Sequence, residues 1–495
     1  MYINERKDLF RHSGKNSNPY RIMLILLVIV VLLAFLREYV SGKIWPPFVP
    51  TPTPTRSVNS FITEGETHFQ AGNLQKAIES FNKALVLEPE NTAVRVELAR
   101  ILTYSSSSLT TDQERRDSLN EALAVIDIAK QDEPNNADVL AMRAFVLSWL
   151  SNPTLSGELS EDFRNQAEAE ALAAIQLDSN NTLAKAYYAE ILIDQYKLAQ
   201  AQDYIAQARE NGEELMDVCR VQAYIYEIFG EYNLAIEWYE KATAITPNLT
   251  FLYIRTGVLY RHGRNFDKAL ELFAKAVSLN EQLGIKDPIP YMAIANTYIR
   301  SGEAMAASRN AYRALEINPY NPDTYGQVGV IYHRARNYEG AILALRCAVE
   351  GCTAEETCLA REEEPCRSKI ETSALPLSDS TVLYYYTYGS VLAGLHRDGL
   401  DDYCETAARV FQQVRAMYSA NEIIMAIVVP SENICRISPG ETYPTSTPQP
   451  EELGTPTPLP TETPFIIPTP TMPTPYNSLS LLAGFVLNII HGFWF

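Results

Sequence analysis

The sequence predicts an all-α fold, a solenoid of about nine helix-turn-helix units set between Pro/Thr-rich linkers behind an N-terminal transmembrane helix. Three observations predict it. A pattern of small and large apolar residues recurs every 34 residues over most of the stretch from Val58 to Asn421. An uninterrupted apolar run, Ile22 to Leu36, follows a cluster of basic residues. Finally, 495 residues exceed the roughly 250–300 at which one core stops growing, so the chain is a set of domains or a repeat array.

The elements follow in order. Residues 1–21, with Arg6, Lys7, Arg11, Lys15 and Arg21, form a basic tail expected to stay cytoplasmic by the positive-inside tendency. Residues 22–40 then make a signal-anchor: the apolar run is short of the ~20 residues of a full span, but Tyr20 and Tyr39 suit the interfaces while Arg21 and Arg37 snorkel. The absence of an A-x-A cleavage site favours an uncleaved anchor over a removed signal peptide, which sends the remainder across the membrane. Residues 41–57 and 437–476 are linkers whose repeated Thr-Pro pairs impose extended, polyproline-like backbone, the longer reaching ~100 Å. The solenoid occupies 58–436, with a cysteine-containing insert at 351–380, and a hydrophobic segment, 477–495, ends the sequence. That segment is either a second span or a membrane-adsorbed tail, since no Lys or Arg follows to hold it.

Within the solenoid the first unit sets the register. Taking Val58 as position 1 puts Phe61, Gly65, His68, Gly72, Ala77, Phe81, Ala84 and Pro89 at positions 4, 8, 11, 15, 20, 24, 27 and 32. Small residues at 8, 20 and 27 let helices approach closely, large ones fill the groove between them, and the proline ends the second helix. The same register returns from Met216 (Ala223, Tyr226, Gly230, Ala235, Tyr239, Ala242, Pro247), Thr250 (Tyr253, Gly257, Tyr260, Ala269, Phe273, Ala276), Pro288 and Pro322. Weaker copies lie between the first unit and Met216, and a degenerate one begins near Val382. In two of the weak copies the interhelix link is lengthened, by SSSSLTTD and by SNPTLSGELS, growth that a loop absorbs cheaply.

Period and spacing resemble the tetratricopeptide repeat (TPR) family, over roughly Val58 to Asn421. The resemblance implies a superhelix whose concave face is built from positions 2, 5, 9, 12 and 13 of each first helix. Those positions include Arg220, Tyr224, Arg261, His262, Asn296, Arg300, His333 and Arg334. A basic, aromatic-flanked stripe in a chain of net charge -19 suggests capture of an extended acidic peptide, because Arg forks match carboxylates bidentately. The Lys and Asn pattern of the carboxylate clamp found in chaperone-binding relatives is not reproduced. Fold fixes function only loosely. The leading expectation is a non-catalytic protein-protein interaction scaffold outside the cytoplasmic membrane. The alternatives are a mechanical spacer in the envelope and a regulator of envelope assembly, although the CxxC pairs of the regulators' metal knob are missing.

Charge argues against sequence-independent nucleic-acid binding, which needs Lys and Arg to neutralise phosphates. HExxH, GxSxG, GxxxxGK[ST] and CxxC signatures do not occur, so neither an enzyme, a cofactor nor a metal site is expected. Of seven cysteines, Cys347, Cys352, Cys358, Cys366, Cys404 and Cys435 cluster in the last units. Disulfides suit an exported domain, metal ligation lacks paired ligands, and free thiols remain a third reading. Six cysteines allow fifteen pairings, among which a Cys404–Cys435 bridge would close the last unit. Cys219 is expected to be a packed thiol.

Overall fold

The computed structural model describes residues 18–40, 56–397 and 402–436. The basic tail, nearly all of both Thr-Pro linkers and the hydrophobic C-terminal segment lie outside the described residues. Two units divide the chain, Met1–Ser57 and Val58–Phe495. In the first, α1 (Pro19–Val40) is long and apolar enough to cross a membrane, a property it shares with signal sequences.

In the second unit nine helix pairs follow one another among the described residues. α2 (Val58–Gln70) pairs with α3 (Leu74–Leu87), and α4 (Thr92–Ser105) with α5 (Asp112–Asp132). α6 (Ala137–Leu150) leads through the one-turn α7 (Pro153–Ser156) to its partner α8 (Ser160–Leu177). Next come α9 (Thr182–Asp194) with α10 (Leu198–Arg209), α11 (Met216–Ile228) with α12 (Tyr232–Ile245), and α13 (Thr250–His262) with α14 (Phe266–Leu283). α15 (Ile289–Ser301) pairs with α16 (Ala304–Ile317), and α17 (Pro322–Arg334) with α18 (Tyr338–Val349). The insert carries the short α19 (Ala354–Ala360), and α20 (Val382–Leu395) pairs with α21 (Cys404–Tyr418) before a closing α22 (Glu422–Arg436).

The repeat positions have direct steric meanings. A Cβ at Gly65 would lie 2.7 Å from the Phe81 ring, at Gly257 2.5 Å from Phe273, at Gly329 2.5 Å from Leu345, and at Gly389 2.6 Å from Phe411. Position 8 is therefore small because the large residue of the second helix lies flat on its backbone. Phe81 and Phe273 are fully buried there, each contributing on the order of 1.5–3 kcal/mol. Tyr253 and Tyr325, at position 4, donate their hydroxyls to the carbonyls of Pro247 and Pro319 at 2.8 and 3.1 Å. Those prolines stand just past the C-caps of α12 and α16, Thr246 and Asn318, so each bond ties a first helix to the turn that precedes it. Position 15 turns the chain through left-handed backbone, with φ of 79° at Gly72, 77° at Gly230 and 89° at Gly302.

Distant units also touch. Asn248 Nδ2, between α12 and α13, donates to the Gln70 carbonyl at 2.9 Å, and a Cβ on Gly72 would meet the Asn248 carbonyl at 2.1 Å. The lengthened α4–α5 link reaches just as far: Thr110 and Glu114 accept hydrogen bonds from Asn321 Nδ2, and Asp112 accepts one from Ser380. The second long link, around α7, contributes Asn152, Pro153 and Leu155 to the wall of an internal cavity. Both insertions thus make contacts within the fold.

The insert after α18 is stapled. Cys347 bonds to Cys352, Cys358 to Cys366, and Cys404 to Cys435, one of the fifteen pairings. Thr357 Oγ1 donates to the Ile370 carbonyl at 2.6 Å and Tyr312 to the Arg361 carbonyl at 3.0 Å, fastening the insert to itself and to α16. Cys219 is fully buried, its thiol donating to the Glu213 carbonyl, and burial pushes it up to about 11.

Candidate functional site

The eight groove residues read from sequence all lie on first helices and separate into two groups. Arg220 and Tyr224, on α11, belong to the first half; the other six lie on α13, α15 and α17. Continuity of the basic stripe is the expectation the structure corrects. Arg220 is buried in a bidentate pair with Glu190 of α9, at 2.8 and 2.5 Å, and its Nε donates to Tyr104. Tyr224 donates to Asp194 at 2.7 Å.

This first half closes across the superhelix axis. Asp217 of α11 accepts from Arg100 of α4 at 3.2 and 2.5 Å, from Tyr187 of α9 at 2.9 Å and from the Tyr104 hydroxyl. Burial opposes its ionisation, but the Arg100 guanidinium and these hydrogen bonds hold the carboxyl down to about 2. Around it Phe145 stacks on Tyr187 with centroids 4.4 Å apart, and Phe251 on Tyr104 at 5.3 Å.

Beside this plug opens a cavity of about 750 Å³, within the range of small-ligand sites. Five cationic side chains line it, and each has a carboxylate. Arg115 pairs with Asp112 at 3.7 Å, Arg164 with Glu161 at 3.4 Å, Lys197 with Glu168 at 2.8 Å, Arg220 with Glu190 and Arg255 with Glu227 at 2.8 Å. A further carboxylate, Asp194, lines the wall and has no ion pair among the described residues. Burial pushes it up to about 7, against the lowering effect of the Tyr224 hydrogen bond. Sequence reasoning missed Glu190, Asp194 and Asp217 although they stand at positions 9, 13 and 2 of their units. Reading those positions for acids as well as bases would have found them.

The second half is organised differently. Arg261 is 3 % exposed, its Nε lacks an acceptor, and one weak bond reaches the Ala293 carbonyl at 3.4 Å. Burial, with Arg300 and Arg334 nearby, pushes the guanidinium down to about 10. Arg334 is lowered as well, by burial and by Arg300. None of the three is within ion-pair distance of a carboxylate among the described residues. His262 is held below its usual value by burial and by Arg300, Arg261 and Arg255; His333 by burial and Arg334. Arg300 and Arg334 are exposed, His333 and Asn296 half-buried, and Tyr386 of α20 flanks Arg334. The result is a patch of cationic and neutral donors with no carboxylate within ion-pair distance of its three arginines among the described residues.

The class of protein this defines is a TPR-type α-solenoid. The tetratricopeptide repeat family models match residues 58–91 and 221–249. Among characterised proteins, the human antiviral innate immune response effector IFIT1 is 24% identical over 183 residues, 34% of this chain and 38% of that protein. A TPR repeat-containing protein of Methanocaldococcus jannaschii is 36% identical over 93 residues, 19% and 15% of the respective chains. The chain therefore spans well under half the length of these curated relatives. Solved structures with similar architecture include the human IFIT1 dimer with m7Gppp-AAAA, at 16% identity over 78% of this chain and 91% of that one, with a TM-score of 0.47. Yeast Tom70 gives 12% identity, 76% and 88% coverage and a TM-score of 0.44. No partner or residue role is transferred from either.

Proposed function

We propose that the chain is a non-catalytic binding scaffold, held by α1 with its solenoid outside the cytoplasmic membrane, whose concave second half captures extended acidic segments of partner proteins. Arg261 carries the reading. An arginine this buried, beside two others and without a carboxylate, lowers the stability of the fold, and a mechanical spacer has no use for it. An acidic peptide laid across α13, α15 and α17 supplies the missing acceptors, with Arg300 and Arg334 as exposed forks. His262, His333 and Asn296 add donors along the same path. The basic N-terminal tail and the disulfides support the display outside the membrane.

Two measurements test it. Fluorescence anisotropy with a labelled Glu/Asp-rich peptide is expected to report binding that weakens with salt and falls at least tenfold in an Arg300→Glu, Arg334→Glu double variant. Equal binding by that variant, or tighter binding of a single-stranded RNA than of the peptide, overturns the partner class. A phosphatase active only outside the cytoplasm, fused after Arg436, is expected to be active; an inactive fusion overturns the display.

A further inference from the structure

The first-half cavity is a second site of opposite preference. Its five cations are each occupied by a carboxylate, two of which, Asp112 and Glu227, stand behind the wall. Counting these pairs as neutral leaves the Asp194 carboxylate as the unbalanced charge facing the space. Trp149, Phe251, Tyr224 and Tyr239 give the same cavity aromatic walls, Tyr224 in contact with Asp194, and the buried Ser148 and Ser151 line it too. One anionic group in a chamber of π faces is the surrounding a cation on an apolar body prefers. Its size, about 750 Å³, exceeds what one water or one metal ion fills.

We infer that this cavity binds a protonated amine carried on an apolar body, with Asp194 as counter-ion and Trp149 and Phe251 packed against the body. The amine belongs either to a free organic amine or to a lysine side chain of a bound protein. The groups facing Asp194 are Arg164 from α8, Glu190 from its own helix, Tyr196 just beyond that helix, and Arg220 and Tyr224 from α11. α6 contributes Ser148 and Trp149, and α10 adds no residue to the wall. Burial pushes the Asp194 carboxyl up to about 7, so in the empty chamber it is part protonated at neutral pH. A bound ammonium replaces that proton, so at pH 7 binding releases a fraction of one.

Calorimetry on the full chain in detergent tests the inference with two ligands of similar body and opposite charge. Phenethylamine is expected to bind, with proton release visible as a heat that depends on buffer ionisation, and phenylacetate is not. Asp194→Asn is expected to weaken phenethylamine at least tenfold and to abolish the proton release, whereas Tyr224→Phe retains binding because the carboxylate remains. Preference for phenylacetate, binding of neither ligand at millimolar concentration, or undiminished binding to folded Asp194→Asn overturns the inference. The ligand comparison on the unaltered protein decides the matter even if a variant fails to fold. A third probe, acetyl-Gly-Lys-Gly-amide, assigns the source: binding as tight as phenethylamine points to a protein lysine, weaker binding to a free amine. Acidic-peptide capture at Arg300 and Arg334 is expected to be unchanged in Asp194→Asn, so failure of one site is distinguishable from failure of the other.

Discussion

Arginines project from the first helices in both halves of the solenoid, yet the two sets serve different ends. Arg100, Arg220 and Arg255 each meet a buried carboxylate on another first helix, neighbouring for Arg220 and Arg255 and three units away for Arg100, and their charges are spent inside the fold. Arg261, Arg300 and Arg334 have one another for neighbouring charges and no carboxylate within ion-pair distance among the described residues. Residue type is the same; the partner differs. Buried ion pairs of the first kind often give little net stability, although removing one member is costly because the other is left uncompensated. A buried cation without a carboxylate costs stability from the outset, a cost that the proposed acidic partner would offset.

The largest test of this contrast is Asp217→Ala, which leaves Arg100 with only the part-exposed Glu97 as a partner and removes the acceptor of two tyrosines. It is expected to lower stability by about 3–5 kcal/mol in urea titrations. The same carboxyl has a folded value of about 2, below the ordinary ~3.9. Its contribution is therefore present above about pH 4 and is lost as pH falls from there through about 2. An acid melt of the wild type that matches that of Asp217→Asn breaks the comparison.

Reduction comes next, because all three disulfides lie in the second half. Opening the Cys404–Cys435 bridge, of sequence separation 31, removes up to about 3–4 kcal/mol by the chain-entropy relation. Hydrogen exchange after dithiothreitol is expected to rise in α21 and α22 and to stay unchanged in α4, α9 and α11.

Arg261→Met should move stability the other way. Desolvation lowers its guanidinium from 12.5 to about 10, a penalty of about 3 kcal/mol at neutral pH, part of which the methionine recovers. We expect a gain of about 1–3 kcal/mol together with weaker acidic-peptide binding; a destabilised variant would falsify the claim that this arginine is retained for a partner. The smallest effect belongs to the histidines. His262 and His333 are both held below the usual ~6.5. The unfolded chain therefore binds protons first, and stability declines as pH falls below that value. Acidic-peptide affinity should rise a few-fold between pH 7 and 5, and this rise should flatten in a His262→Ala, His333→Ala double variant.

Much of this architecture is legible in the sequence because the repeat fixes sterics locally. Gly257 must face Phe273, and Pro319 must offer its carbonyl to Tyr325, whichever proteins share the pattern. Position 15 is less legible: Tyr196, Arg264 and Arg336 take the left-handed backbone with φ of 59°, 60° and 63°, where glycine is the residue a reader looks for. The site was readable only in part. Position numbers place Arg220 and Arg300 on one face, but whether a carboxylate meets them depends on residues 30 to 117 positions away, such as Glu190 and the Arg100–Asp217 pair. Superhelical pitch decides that meeting, and no periodicity within one unit encodes it. The SSSSLTTD link is read from sequence as tolerated slack, and its reach to Asn321 and Ser380 depends on the same pitch.

Asn248 against Gly72 has a mechanical consequence. In a solenoid whose units touch only their neighbours, tension peels repeats away singly and the extension is stepwise. Here a carbonyl lies where any side chain at residue 72 would have to stand, and the α4–α5 link fastens a second pair of remote units. The first clasp closes the first five repeats and the second ties the second repeat to the last ones, so the solenoid resists pulling until both clasps release, after which it gives way at once. A force trace of the solenoid should show one tall event followed by small ones, and Asn248→Ala with Asn321→Ala should convert the tall event into a staircase.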